Sequence, residues 1–272
     1  MRLATVATAD GTTSAAVRRD DVWLALPAAD LSELLRRPDW SDVAAAAAGE
    51  PLADATALNP LPSPAKVICC GLNYADHILE MGRELPAYPT LFAKYADTLI
   101  GPTDTITAPN SVSLDWEAEL AVVVGTPLRE ASEDEAAAAI AGYTVANDIS
   151  VRDWQNRTLQ WFQGKAWDGT TPVGPEVVTP DEVDPAAGID VSCQVNGDQL
   201  QHGSTSTLVF GPAALLAYIS QFTLLRPGDL VLTGTPGGVG MGMKPPRYLQ
   251  DGDVVRTEIA GIGVLENTVR LT

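Results

Sequence analysis

An apolar run with acids at its head constrains this chain more than any other feature. In LDWEAELAVVVG, residues 114–125, Asp115, Glu117 and Glu119 lead directly into a stretch of Ala, Leu and Val. Strand side chains alternate between faces, so an extended segment puts the three acids on one face and Trp116, Ala118, Leu120 and Val122 on the other. Glu is not a favoured strand residue, and an acidic face therefore needs a cause. One cause is an edge strand whose solvated charges block sheet-to-sheet sticking. The other is a hard cation such as Mg2+, Mn2+ or Ca2+, which two carboxylates at i and i+2 can bind if a third oxygen ligand comes from elsewhere. Asp148, at the end of the apolar segment GYTVAND, is the best candidate for that third ligand. In parallel neighbours the start of one strand and the end of the other would lie about 20 Å apart at about 3.3 Å per residue. The two strands must then run antiparallel or face each other across a roll.

The rest of the chain sets bounds on partners. Its 17 basic residues against 35 acidic ones leave a net charge of -18. Such a field repels phosphate backbones and anionic lipid surfaces, so neither nucleic acid nor membrane is expected as a partner. An anionic substrate would need its own local positive charge, from a metal ion or from Lys and Arg. With 46% apolar residues the 272-residue chain can build a proper core. No stretch approaches the length of a membrane span, and MRLATVATADG lacks the basic-then-apolar order of a secretion signal, so a cytoplasmic protein is expected. Cys69 and Cys70 in KVICCG and Cys193 in DVSCQV read as small buried core residues with reduced thiols.

Strands predominate along the chain. RLATVAT, AAVRR and VWLAL read as short strands, followed by a helix-like ADLSELLRR and a low-complexity alanine run from Ala44 to Ala48. Prolines at 60, 62 and 64 interrupt any regular element. They mark a boundary between a small β-rich domain, residues 1–62, and a larger one, residues 63–272. KVICCG and LFAKY read as strands around a short helix, YADHILEMG. Ser132 and Glu135 form a capping box for a helix across EDEAAAAIAG. VRDWQNRTLQWF has helical spacing, VSCQVNGDQLQ a hairpin turning at Asn196-Gly197, and GPAALLAYIS a helix. DLVLTG, VVRTEIA and GVLENTVRL close the chain as strands.

Several chemistries are poorly served. Two histidines, at 77 and 202, and no Cys pair at ligand spacing argue against zinc. No G-x-S-x-G supports a serine nucleophile, and the glycine-rich LTGTPGGVGMGMK places Met243 where a phosphate loop needs Lys. His77 and Glu80 sit three apart and share a face if helical; they are either an imidazole oriented by a carboxylate or two ordinary surface residues. Lys165 in FQGKAWD is one of only four lysines and is either an oxyanion-holding ammonium or a solvated charge. Gln155 faces the same site as Asp148 or faces solvent, and spacing does not decide.

The runs GLNYADHILE, PTLFAKY, LIGP, LDWEAELAVVVG, AGYTVANDISVRDWQ, QGKAWDGTTPVGP, VNGDQLQ and PGDLVLTGTPGGVG together resemble the fumarylacetoacetate hydrolase family from residue 66 to about 270. The resemblance implies a mainly β fold with short helices, a mixed β-sandwich roll, in a homodimer with a divalent metal, Mg2+ or Mn2+ with Ca2+ possible. It implies Glu117, Glu119 and Asp148 as metal ligands, with Asp115 left out. It also implies His77 and Glu80 as the pair that activates water and Lys165 as a catalytic cation. Gln155 and Thr235 match substrate-holding positions, and Arg83 and Lys94 are added as further substrate-binding cations. The implied reaction is metal-dependent C–C hydrolysis of a 2,4-dioxo acid to pyruvate and a carboxylic acid. Alternatives are oxaloacetate decarboxylation, isomerisation or decarboxylation of a dienedioate, and a non-catalytic metal-binding dimer. In each enzymatic case a small anionic 2-oxo acid is the partner.

Overall fold

The computed structural model describes residues 1–80, 82, 84–110 and 112–272, the side chains of His77 and Glu80 excepted. The chain begins β1 (Arg2–Ala7), β2 (Thr13–Arg19), β3 (Val22–Ala25), α1 (Leu31–Leu34), α2 (Trp40–Ala45) and β4 (Thr56–Ala57). It continues through β5 (Val67–Gly71), α3 (Ala75–Glu80), β6 (Thr90–Lys94), β7 (Leu99–Ile100), β8 (Ile106–Ala108), β9 (Leu114–Asp115) and β10 (Ala118–Val124). Next come α4 (Glu133–Ala138), β11 (Ile140–Asn147), β12 (Ser150–Val151), α5 (Arg152–Gln155), α6 (Phe162–Lys165) and β13 (Thr171–Val178). The last elements are β14 (Asp190–Val195), β15 (Asp198–Ser204), α7 (Pro212–Ser220), β16 (Leu230–Leu232), β17 (Val254–Ile259) and β18 (Gly263–Leu271). The fold is mainly β with short helices, as the sequence led us to expect.

One mixed sheet runs β3-β2-β1-β13-β11-β10-β16-β5-β6, with β4 on β1 and β7 on β13. A second runs β15-β14-β17-β18-β8, and β9 pairs with β12 alone. The two large sheets enclose a core to which β10 contributes Leu120, Val122 and Val124, meeting Val191, Cys193, Val255 and Leu265. Ala121 and Val123, of opposite parity, enter a second core with Leu3, Val17, Leu31, Val67 and Leu230. The strands before the proline segment thus share a sheet and a core with those after it, through Arg2↔Val178 and Leu3↔Val177.

Local chemistry explains several elements. Asn196 and Gly197 both take positive φ, 54° and 85°, as a two-residue hairpin turn requires. Ser132 and Glu135 satisfy each other's backbone N–H groups and start α4. One expectation and one of the two readings of the acidic segment do not hold. VRDWQNRTLQWF does not make one helix, because α5 ends at Gln155 and α6 starts at Phe162. The chain leaves the helix over residues 156–160, where the Thr158 hydroxyl accepts from the Gln160 N–H at 3.1 Å, and Trp161 then opens α6 with its ring centroid 5.7 Å from that of Phe92. The acidic segment is also not an edge strand: β10 lies between β11 and β16 and is buried along its whole length. All three cysteines are buried and free.

Candidate metal and substrate site

The acidic segment is broken at its centre. Asp115 ends β9, β10 starts at Ala118, and the intervening N–H groups leave the ladder. Asn147 Oδ1 accepts from the Glu117 N–H at 2.9 Å, and Gln201 Oε1 accepts from the Ala118 N–H at 2.9 Å. Side chains thereby satisfy backbone donors that a continuous strand would have paired. Beyond the break, β10 and β11 run antiparallel in the register Ala118↔Asn147. This places Asp148, one residue past the end of β11, directly beside Glu117.

Glu117, Glu119 and Asp148 converge, each offering a carboxylate oxygen within 4.8 Å of the others, and all three are buried. The Lys165 ammonium bridges two of them, 2.8 Å from Glu117 Oε2 and 2.7 Å from Asp148 Oδ2. Lys94 donates to Asp148 Oδ1 at 2.5 Å. Arg152 reaches Glu117 Oε1 through Nη1 at 2.7 Å and Asp115 Oδ2 through Nε at 2.7 Å. Burial pushes the Asp148 carboxyl up, but Lys165 and Lys94 outweigh it and hold the group below the usual carboxylate range. Among the described residues no cation is bonded to Glu119. Burial first, then the Asp148 and Glu117 charges, push its carboxyl well above the ordinary value against the weaker opposing pull of Lys165, and the Gly234 N–H donates to it at 2.7 Å. Lys165 remains an ammonium: burial opposes its charge, yet Asp148 and Glu117 raise it above the normal lysine value.

These charges test whether a metal fits. Asp115, Glu117, Glu119 and Asp148 carry four negative charges when ionised, against three positive ones on Lys94, Lys165 and Arg152. The set is one positive charge short of neutrality, and the deficit falls on Glu119. Three convergent carboxylates, one of them uncompensated, suit a hard divalent cation.

A cleft of about 300 Å³ opens onto this cluster. Glu117, Glu119, Arg152, Gln155, Lys165 and Thr235 form its polar side, and Cys70, Leu72, Phe92, Trp161, Val239 and Met241 its apolar side. The Gln155 carbonyl accepts from Arg152 Nη1 at 2.8 Å, which leaves its amide NH2 for the cleft. The Thr235 hydroxyl donates to the Ala118 carbonyl at 2.9 Å and accepts from Gln201 Nε2 at 2.8 Å. Lys94 sits beneath Asp148 and away from the cleft wall, its side chain fully buried. His77 and Glu80 lie on α3, which Ile78 anchors at 2% exposure, but their side chains fall outside the described residues, as does Arg83.

Arg152 is the cleft residue that sequence spacing missed. It is 3% exposed, and its Nη2 has no hydrogen-bond partner among the described residues. A buried guanidinium N–H is costly to leave unpaired and marks a place for an anionic acceptor. Its signal in the sequence is an Arg four residues after a buried Asp, in an otherwise apolar stretch.

Residues 66–270 match the model for the fumarylacetoacetate (FAA) hydrolase C-terminal domain. The mitochondrial oxaloacetate tautomerase of Xenopus laevis is 45% identical over 215 residues, covering 78% of this chain and 67% of the relative. The fumarylacetoacetate hydrolase of Exiguobacterium antarcticum superposes with a TM-score of 0.89 at 37% identity, covering 100% of each chain. The 5-carboxymethyl-2-hydroxymuconate delta-isomerase of Mycobacterium smegmatis superposes with a TM-score of 0.83 at 35% identity, covering 100% of this chain and 99% of that one. With the buried carboxylate triad, its bridging lysine and a match across three quarters of its length, the chain belongs to the fumarylacetoacetate hydrolase family.

Proposed function

We propose that this chain is a divalent-metal-dependent enzyme that moves the C3 proton of a small 2-oxo acid, interconverting its keto and enol forms. The observation that carries the reading is Arg152 Nη2, a cationic donor without a partner among the described residues, beside a carboxylate triad and a bridging ammonium. A divalent cation held by Glu117, Glu119 and Asp148 would supply Lewis acidity at the 2-oxo group and lower the cost of enolate charge at C3. Arg152 Nη2 takes the substrate carboxylate, and the Gln155 amide holds its orientation. Lys165, kept protonated by Asp148 and Glu117, donates to the enolate oxygen. His77, with Glu80 three residues on in the sequence, is the residue proposed to carry the proton between C3 and solvent. Oxaloacetate is the first substrate to test, because an oxaloacetate tautomerase is 45% identical to this chain.

A second reading is hydrolysis of a 2,4-dioxo acid, favoured by the H-x-x-E spacing on α3 and by the structural likeness to a fumarylacetoacetate hydrolase. Here His77 deprotonates a water that attacks C4, the C3–C4 bond breaks, and the electron pair stays on C3 as pyruvate enolate. The experiment is a panel of oxaloacetate, acetylpyruvate and fumarylpyruvate with Mg2+, followed by loss of enol absorbance and by pyruvate release. Enol–keto exchange without pyruvate from the acylpyruvates supports the first reading, and metal-dependent pyruvate release from them establishes the second. We further propose a cytoplasmic homodimer, which sedimentation and fractionation test.

A further inference from the structure

Asp115 shares the acidic segment with two of the carboxylates that converge, yet its environment differs from theirs. It is fully buried, and both oxygens are saturated. Oδ1 accepts from the backbone N–H groups of Trp116 at 2.9 Å and Gly240 at 2.7 Å. Oδ2 accepts from Met241 N–H at 3.0 Å and from Arg152 Nε at 2.7 Å. A carboxylate offers about four lone-pair directions, and all four are used.

We propose that Asp115 is a positioning residue that aims Arg152 at the substrate carboxylate and ties the glycine-rich segment to the same point. This rests on the reading of the cleft as a 2-oxo acid site. The guanidinium is planar, so fixing Nε on Asp115 and Nη1 on Glu117 and Gln155 fixes the direction of Nη2. The same carboxylate holds Gly240 and Met241, and the segment it pins carries Val239 and Met241 into the apolar side of the cleft. Glycine is required at the pinned position: a Cβ on Gly240 would lie 2.0 Å from the Arg247 carbonyl oxygen and 2.8 Å from Asp115 Oδ1. Gly240 in TGTPGGVGMGMK therefore serves close backbone approach to a buried carboxylate. Asparagine cannot replace Asp115, since its NH2 would face the Met241 N–H and the Arg152 Nε–H, donor against donor.

The test is a double-mutant cycle with Asp115→Asn and Arg152→Gln, read by calorimetry with oxalate as the probe at saturating Mg2+, alongside each variant's Mg2+ affinity. Asp115→Asn is expected to weaken oxalate about 10-fold, the lower end of the range for supporting shells, with Mg2+ affinity held within about 3-fold. In the Arg152→Gln background the same change should have no further effect on oxalate, because Asp115 acts through Arg152. Unchanged oxalate affinity, equal losses in both backgrounds, a parallel loss of Mg2+ affinity, or no oxalate binding by the wild-type chain would each overturn the proposal. If Asp115→Asn does not fold, Asp115→Glu replaces it, with the same loss expected because the carboxylate is moved by one methylene. Turnover of the 2-oxo acid panel is measured separately. Coupled oxalate binding with no turnover would refute the enzymatic reading and leave the positioning role standing.

Discussion

The Asp148 backbone N–H donates to the Glu117 carbonyl at 2.8 Å, joining two carboxylates that are far apart in the chain just where β10 begins and β11 ends. This one bond, with the antiparallel register beside it, turns two acidic segments into a single cation site.

Removing one member of that site should abolish metal binding. Glu117→Ala is expected to lower Mg2+ affinity at least about 100-fold, since it removes one of three carboxylate ligands and leaves the Arg152 and Lys165 charges less opposed beside the cation. Calorimetry measures the affinity, and circular dichroism should show the β content retained. Turnover at wild-type levels in this variant would remove Glu117 from the site.

Lys165 is 2% exposed and holds two buried carboxylates. Lys165→Met keeps the volume but leaves Glu117 and Asp148 without it, and breaking a buried pair by removing one partner costs about 3–5 kcal/mol. Denaturant unfolding of the metal-free protein should show a loss of that order. Added Mg2+ should recover part of it, while activity stays absent.

The Glu119 carboxyl is raised in the folded chain by burial and then by Asp148 and Glu117, so the metal-free native state holds this proton more tightly than the unfolded chain does. Its ionisation therefore opposes folding as pH rises above the unfolded value; the penalty shrinks as pH falls below the raised folded value and is gone below the unfolded one. Asp148 has the opposite sign: its depressed carboxyl adds stability above the unfolded pKa, which is lost as pH falls through the folded value. A cation must displace the Glu119 proton, so Mg2+ binding should release protons wherever that carboxyl is still protonated and tighten as pH rises. Calorimetry in buffers of different ionisation enthalpy measures the release, and binding with no proton exchange at any pH would contradict this picture of Glu119.

A Cβ added at Gly71 would lie 2.3 Å from Trp161 Cζ3, so Gly71→Ala must push the indole off β5 and open the apolar side of the cleft. Overpacking of this kind costs about 1–3 kcal/mol. The variant should raise KM several-fold and shift the tryptophan fluorescence maximum to the red, while Mg2+ affinity stays unchanged.

Much of the fold was legible because its signals are local. The Asn196-Gly197 hairpin and the Ser132–Glu135 capping box depend on neighbouring residues alone, and both form. The break at Trp116–Glu117 does not. It exists because Asn147 and Gln201, distant in sequence, take the N–H groups of Glu117 and Ala118. Periodicity through VRDWQNRTLQWF likewise could not show that the chain turns at Thr158, between α5 and α6, and brings Trp161 against Gly71. The acids of the triad, and Asp115 with them, stood out as polar residues beside apolar strands. Arg152 did not, and neither did its pairing with Asp115, since a buried Arg–Asp pair and a surface one read alike until Gly240 and Met241 close over them.

The most direct test of metal-dependent chemistry at C3 is the rate of enol–keto interconversion of oxaloacetate, followed by enol absorbance with Mg2+, with chelator, and with Glu117→Ala. Acceleration that needs both Mg2+ and Glu117 is the expected result. No acceleration, or acceleration indifferent to chelator and to Glu117→Ala, would contradict it.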